Sequence, residues 1–268
     1  MLRSVFSIDG LDLSVASSGQ GKPFIFQHGL CGAAEQVTEV FPVNGDWKCI
    51  TLESRGHGLS PCGDVESLSI QRFVQDIAEF IRSLECGPVP VGGISMGAAI
   101  AMQLAIRHPD LVRGLVIARP AWIDKPAPES LFAIREVARY LTDHATREAR
   151  ARFEASPIVA RIRREAPDNL TSLLSFFHRE PVNETRSLLA AIANDGPGVS
   201  KSEITGIDVP TLVIGTQSDV IHPMAMADRI AELIPSARLV EITAKSDSRD
   251  RYCMEFQNAL NQYMKELG

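Results

Sequence analysis

Val89-Pro90-Val91-Gly92-Gly93-Ile94-Ser95-Met96-Gly97-Ala98-Ala99-Ile100 is the stretch from which the fold is read. A short apolar strand runs into Gly93-Ile94-Ser95-Met96-Gly97, and a helix of small residues follows. A strand that turns sharply into a helix forces the residue at the turn into a strained conformation. Only glycines two positions before and two after leave room for the chain to cross itself. This is the strand–turn–helix context of a nucleophile elbow. It lifts Ser95 to the mouth of a sheet and sets it at a helix N-terminus, where free N–H groups and the helix dipole favour developing negative charge.

Outward from that point, apolar strands alternate with helices. Val5–Ile8, Asp9-Gly10 and Leu11–Val15 read as a hairpin, since Asp-Gly supplies the positive φ angles of a two-residue turn. Phe24–Phe26 is a core strand ending in Gln27-His28-Gly29-Leu30, a loop in which the Leu30 N–H can point at a substrate oxygen while His28 braces the turn. Trp47–Leu52 is the next strand, and Glu53-Ser54-Arg55-Gly56-His57-Gly58-Leu59-Ser60 follows as a compact turn in which Arg55 and His57 bond loop carbonyls. From Ser69 to Leu84 the apolar residues recur at three- and four-residue spacings, the pattern of an amphipathic helix. The elbow helix ends near His108-Pro109, and Leu115–Ala118 is a further strand. Continuous apolar strands alternating with helices indicate a parallel sheet covered on both faces, an α/β fold.

Residues 119–206 break the alternation. Glu129–His144, Ala145–Glu154, Pro157–Arg164, Asp168–Arg179 and Asn183–Asn194 are helical in pattern and separated by Pro and Gly punctuation. The arginines here are nearly matched by acids, which describes a solvated surface. Phe132, Phe176 and Phe177 read as core or pocket lining. The alternation resumes with Val209–Gly215, a helix over Met224–Leu233, the strand Arg238–Ile242 and a closing helix Asp250–Leu267 buried along Tyr252, Phe256, Leu260 and Tyr263.

The 268 residues suffice for one α/β core with an insertion, and 45% hydrophobic with 22% charged residues is an ordinary globular balance. A net charge of −6 leaves no electrostatic footprint for nucleic acid or an anionic membrane. No apolar run reaches a membrane span, no signal-peptide core follows Met1, and five scattered cysteines without CxxC spacing suit reduced thiols, so a cytoplasmic protein is expected. The expected partner is a small-molecule substrate. Neither a metal nor an organic cofactor is implied, and the oligomeric state is left open.

His28-Gly29, Arg55-Gly56-His57-Gly58-x-Ser60 and Gly93-x-Ser95-x-Gly97 occur in the order and context of the α/β-hydrolase superfamily, which the chain resembles over nearly its whole length. The resemblance implies an eight-stranded, mostly parallel sheet with the site at the strands' C-terminal ends, formed by residues 1–118 and 207–268. It makes residues 119–206 a helical cap inserted after the sixth strand. By the same resemblance Asp219, in the loop after Val209–Gly215, matches the acid that orients a catalytic base; an N-cap or Asx-turn role is its structural alternative. Arg119, directly after a core strand, reads first as a structural ion pair and second as a clamp for a substrate carboxylate.

One departure bears on function. Superfamily members place the catalytic histidine after the last strand, yet here that loop reads Thr243-Ala244-Lys245-Ser246-Asp247-Ser248, and no histidine lies beyond His222. A serine needs a base within reach. The candidates are His222, three residues past Asp219; Lys245 in the vacated loop, whose structural alternative is an ion pair with Asp247; and His28 or His57 turned inward. The expected function is hydrolysis of a small ester, thioester, lactone or related acyl or C–C substrate, with Ser95 as nucleophile and the Leu30 and Met96 amides as oxyanion donors. The alternative is a non-hydrolytic or ligand-binding member of the fold without an efficient triad.

Overall fold

The Asp9-Gly10 turn forms as its sequence dictates, with φ of 51° and 75°, joining strands β1 (Leu2–Ile8) and β2 (Leu11–Gly19). The computed structural model describes residues 1–43 and 45–268. Next come β3 (Lys22–Gln27), α1 (Ala34–Val40), β4 (Trp47–Leu52), α2 (Ile70–Ser83), β5 (Val89–Ile94), α3 (Met96–Arg107) and β6 (Val112–Ala118). Between β6 and β7 (Thr211–Thr216) lie only helices: α4 (Phe132–Asp143), α5 (Thr146–Glu154), α6 (Pro157–Glu165), α7 (Pro167–Ser175), α8 (Val182–Asn194) and α9 (Lys201–Thr205), with short 3₁₀ turns at 129–131 and 176–178. The chain then forms α10 (Met224–Leu233), β8 (Ala237–Ile242) and α11 (Arg249–Leu267).

The eight strands make one sheet in the order β1-β2-β4-β3-β5-β6-β7-β8, with β2 antiparallel to β1 and β4 and every other pair parallel. The strands alternate between two apolar faces. Ile25, Leu115, Ile117 and Val213 enter the core under α2, α3, α10 and the inserted helices. Their neighbours Phe24, Phe26, Val116, Leu212 and Ile214 enter the core under α1 and α11, with Tyr252, Phe256, Leu260 and Tyr263. Period-two alternation with both phases apolar is what a sheet covered on both sides requires. Ser69 caps α2 by accepting from the Arg72 N–H. The buried stripe of α2 includes Ile70, Phe73, Val74, Ile77 and Ile81, each contributing roughly 1.5–3 kcal/mol through burial.

One local expectation is corrected. Arg55 does not bond loop carbonyls; its Nε and Nη2 lie 2.8 and 2.9 Å from the two oxygens of buried Asp76 on α2, and Nη2 also meets Asp9 at 2.8 Å. A guanidinium fork matches a carboxylate better than it matches single carbonyls. Phe132, 42% exposed at the start of α4, takes the pocket-lining alternative of its reading, beside Ala133, Ile158 and Ile162. Helix α9 is an addition to the expected elements, started by a capping box in which the Ser200 side chain accepts from the Glu203 N–H and Glu203 reaches back to the Ser200 N–H. The cap arginines are matched by acids one turn away, as in Arg139–Glu136, Arg150–Glu154, Arg152–Glu148 and Arg161–Glu165.

Candidate active site

Where β5 meets α3 the chain makes the sharp turn that its glycines announce. Ser95 sits at φ 56°, ψ −110° as the N-cap of α3, and its N–H donates to the Ala118 carbonyl of β6 at 3.0 Å. A Cβ on Gly93 would stand 2.4 Å from the Gly97 carbonyl carbon, and one on Gly97 would stand 2.4 Å from the Gln27 carbonyl oxygen of β3. Both glycines are therefore demanded by backbone packed on backbone, and the second sets the elbow directly against the loop that carries Gly29 and Leu30. The Leu30 and Met96 amides donate no hydrogen bond among the described residues. Unengaged N–H groups beside a helix N-terminus can receive an oxyanion.

Ser95 opens into a cavity of about 190 Å³ at the C-terminal ends of the strands, under the inserted helices. Leu30, Arg119, Asn169, Phe176 and His222 are among its other lining residues. The Ser95 hydroxyl itself makes no hydrogen bond among the described residues.

Asp219 and His222 come together in the loop after β7. The His222 Nδ1 lies 3.1 and 3.0 Å from the two Asp219 oxygens, and the Ile221 and His222 amides donate to Asp219 Oδ1 at 3.2 and 2.9 Å. The expected Asx turn is present, but Asp219 does not cap α10, whose N-cap is Pro223. Arg119, left-handed at φ 45°, donates through Nε and Nη2 to Asp219 Oδ2 at 2.9 and 2.7 Å and through Nη1 to the Tyr252 hydroxyl at 3.4 Å. Burial opposes ionisation of Asp219, but the Arg119 charge and the His222 contacts outweigh it and hold the carboxyl well below the usual carboxylate range. Burial likewise opposes the Arg119 charge, and Asp219 more than restores it. With Nδ1 on the carboxylate, Nε2 is the nitrogen through which His222 can exchange a proton.

The remaining candidates lie elsewhere. His28 is fully buried; its ring is held between the Gly29 carbonyl, 2.9 Å from Nδ1, and the Ser54 N–H, which donates to Nε2 at 3.1 Å. His57 is as deeply buried, with Nδ1 on the Arg55 carbonyl at 2.9 Å. Burial pushes both imidazoles below their ordinary pKa, His57 furthest because His28 stands beside it. Lys245 is not paired with Asp247; its Nζ meets Glu39 of α1 at 3.3 Å and lies over the Tyr252 ring, and it is not among the residues lining the Ser95 cavity. Glu39 is where two cations, Lys245 and Arg249, converge, which out-competes a neighbour two residues away on a tight turn. Cys31 does line the cavity, but burial pushes its thiol up to about 12, so it is protonated and a poor nucleophile.

Three polar residues at or beside this site carried no readable signal in the sequence. Glu53 is buried at the end of β4 and accepts from the Ala34 and Leu59 amides, both at 2.9 Å. Gln36 accepts the Gly29 N–H at 2.7 Å. Asn169 on α7 accepts the Val220 and Ile221 amides at 2.8 and 3.2 Å, tying a cap helix to the loop that carries His222. Among the described residues no group of three or more His, Cys, Asp or Glu side chains could hold a metal ion, and no helix is long and apolar enough to cross a membrane.

The strand order, the elbow and the inserted helices define an alpha/beta hydrolase fold, and a family model of that description matches residues 22–245. The chain belongs to this family and is an enzyme, a hydrolase. It is 28% identical over 243 residues to a Mycobacterium tuberculosis protein provisionally named non-heme bromoperoxidase BpoC, covering 87% of this chain and 89% of that one. It superposes with a TM-score of 0.72 on the enol-lactonase from Burkholderia xenovorans LB400, at 20% identity over 98% of this chain and 100% of the other. It does so equally, at 0.72, on a thermophilic esterase from Thermogutta terrifontis, at 20% identity over 100% and 99%.

Proposed function

We propose that the chain is a serine hydrolase of a small ester, thioester, lactone or related acyl or C–C substrate, with a base relocated from the last loop to the loop after β7. Ser95 Oγ attacks the substrate carbonyl and its proton passes to His222 Nε2. The carbonyl oxygen, now negative, is held by the Leu30 and Met96 amides, donors of a kind worth about 3 kcal/mol each in the transition state. The proton on His222 then leaves with the alcohol, thiol or other departing group, and water releases the acyl group from Ser95 by the same steps in reverse. Asp219 keeps His222 in the Nδ1–H tautomer throughout. The reading calls on no cofactor, and five free thiols fit the reducing cytoplasm to which it assigns the protein.

The observation that carries this reading is that a left-handed Ser95, Leu30 with its unengaged amide, and His222, whose Nδ1 is already held by a buried carboxylate, line one cavity, with the unengaged Met96 amide next to Ser95 in the chain. The test is labelling by a serine-directed fluorophosphonate between about pH 6 and 9, the range in which a histidine or a lowered lysine becomes a base. Wild type labels and Ser95→Ala does not. A second reading, a ligand-binding member of the fold without an efficient triad, is favoured by the unbonded Ser95 hydroxyl. Catalytic hydrogen bonds are often long until substrate binds, so labelling decides: none across the range, with ligand binding that survives Ser95→Ala, selects the second reading.

A further inference from the structure

Two carboxamides on the Ser95 cavity take no part in the chemistry just described. Gln36 approaches from α1 and Asn169 from α7, and both line the cavity. A carboxamide has one acceptor oxygen and one NH2 group, and the neighbouring donors decide which is which. The oxygen of Gln36 is taken by the Gly29 N–H and that of Asn169 by the Val220 and Ile221 amides. Each side chain is thereby fixed so that its NH2 is left over. Neither NH2 meets an acceptor among the described residues, although Asn169 is only 2% exposed. Both NH2 groups open onto the cavity rather than being sealed from solvent, and a donor held in place on a binding cavity can receive its acceptor from the ligand.

The rest of the lining points to the charge of that partner. Among the described residues no aspartate or glutamate lines the cavity, and Arg119 is the one permanently charged side chain that does; it pairs with Asp219 at 2.7 Å and has Asp168 at 4.0 Å, both behind the lining. The apolar part is Leu30, Ile94, Ile134, Phe176 and Ile221, enough to seat a short hydrocarbon spacer. The volume is that of about six waters, so the ligand is small.

We infer that the substrate is a small ester whose acyl part ends in a carboxylate, and that the NH2 groups of Gln36 and Asn169 hold that carboxylate while the ester carbonyl faces Ser95. The inference rests on the hydrolase reading. It is tested with two esters of the same shape and leaving group, monomethyl succinate and methyl 4-methylpentanoate, followed by methanol release. Wild type favours the succinate ester by about tenfold or more in kcat/KM, the scale of charge-assisted hydrogen bonds. Asn169→Asp and Gln36→Glu each keep the oxygen that the backbone amides need and replace only the NH2, so each lowers that preference by about tenfold. Equal or better turnover of the neutral ester by wild type, or variants that slow both esters alike, overturns the inference. Calorimetry on Ser95→Ala separates the two layers: if no ester is turned over, binding of monomethyl succinate that is lost in Ser95→Ala/Asn169→Asp retains the carboxylate site and rejects the hydrolase reading. Absence of that binding rejects the carboxylate site.

Discussion

Removing the His222 ring should separate activity from stability, because of how Asp219 is held. In His222→Ala the carboxylate keeps both bonds from Arg119, at 2.9 and 2.7 Å, and both backbone amides of the loop. No buried charge is orphaned. The loss is one charge-assisted hydrogen bond at a mostly buried ring, about 1.5–3 kcal/mol, or a fall in Tm of roughly 4–10 °C for a chain of this size. Turnover should fall by about a hundredfold or more, the scale of a deleted general base, and the rate of fluorophosphonate labelling should fall with it. Asp219→Ala is the contrasting variant. It takes the close partner from the buried Arg119 guanidinium, leaving Asp168 at 4.0 Å, which costs up to about 3–5 kcal/mol, so it should lose both activity and a larger share of Tm. The assay is therefore a pair of measurements on each variant, calorimetric Tm and labelling rate. A His222→Ala protein that labels at the wild-type rate refutes the assignment of the base, whatever its stability.

Gly97→Ala should abolish labelling and lower stability by about 1–3 kcal/mol or more, since its Cβ would stand 2.4 Å from a backbone oxygen of β3; normal labelling would contradict the crossing geometry. Lys245→Ala should retain turnover within about twofold, as surface pairs contribute little and its partner is Glu39; a large loss in kcat would restore Lys245 as a base. Burial holds the folded pKa of His28 and His57 below the ordinary histidine value of about 6.5, so the unfolded chain takes up protons first as pH falls. Stability is complete above about pH 6.5 and declines below it towards the depressed folded values, at up to about 1.4 kcal/mol per pH unit for each histidine. Urea titrations from pH 7.5 to about 5 should show this slope, reduced in His57→Gln, and a flat profile would place protonated imidazoles in the fold.

What could be read from the sequence was what short-range chemistry determines. The elbow, the Asp-Gly hairpin and the buried stripes of α2 and α11 follow from spacing alone, and each formed where its residues place it. The missing last-loop histidine was equally legible because it is a matter of inventory. Gln36 and Asn169 were not, since their roles are set by amides seven and about fifty residues away. Neither was the partner of Lys245, because Glu39 lies 206 residues away in the chain. Helix α9 is a different kind of omission: Ser200-Lys201-Ser202-Glu203 is a local capping signal, obscured by the Asp195-Gly196-Pro197-Gly198 punctuation before it.

The base position proposed above, after β7, would have a physical consequence for how the site is held together. When acid and base come from two loops, their alignment depends on the packing of both. Here Asp219, through Oδ1, closes the very turn that carries His222 three residues later, so the Asp219–His222 pair is a single local unit. That unit is tied on one side to Arg119 at the end of β6 and on the other to Asn169 of the cap. The last loop and the start of α11 pack against α1 through the ion pairs of Lys245 and Arg249 with Glu39. Asn169 of α7 bonds the backbone of that loop through its oxygen and also lines the cavity, so under the proposed function the contents of the cavity and the position of His222 meet at one side chain.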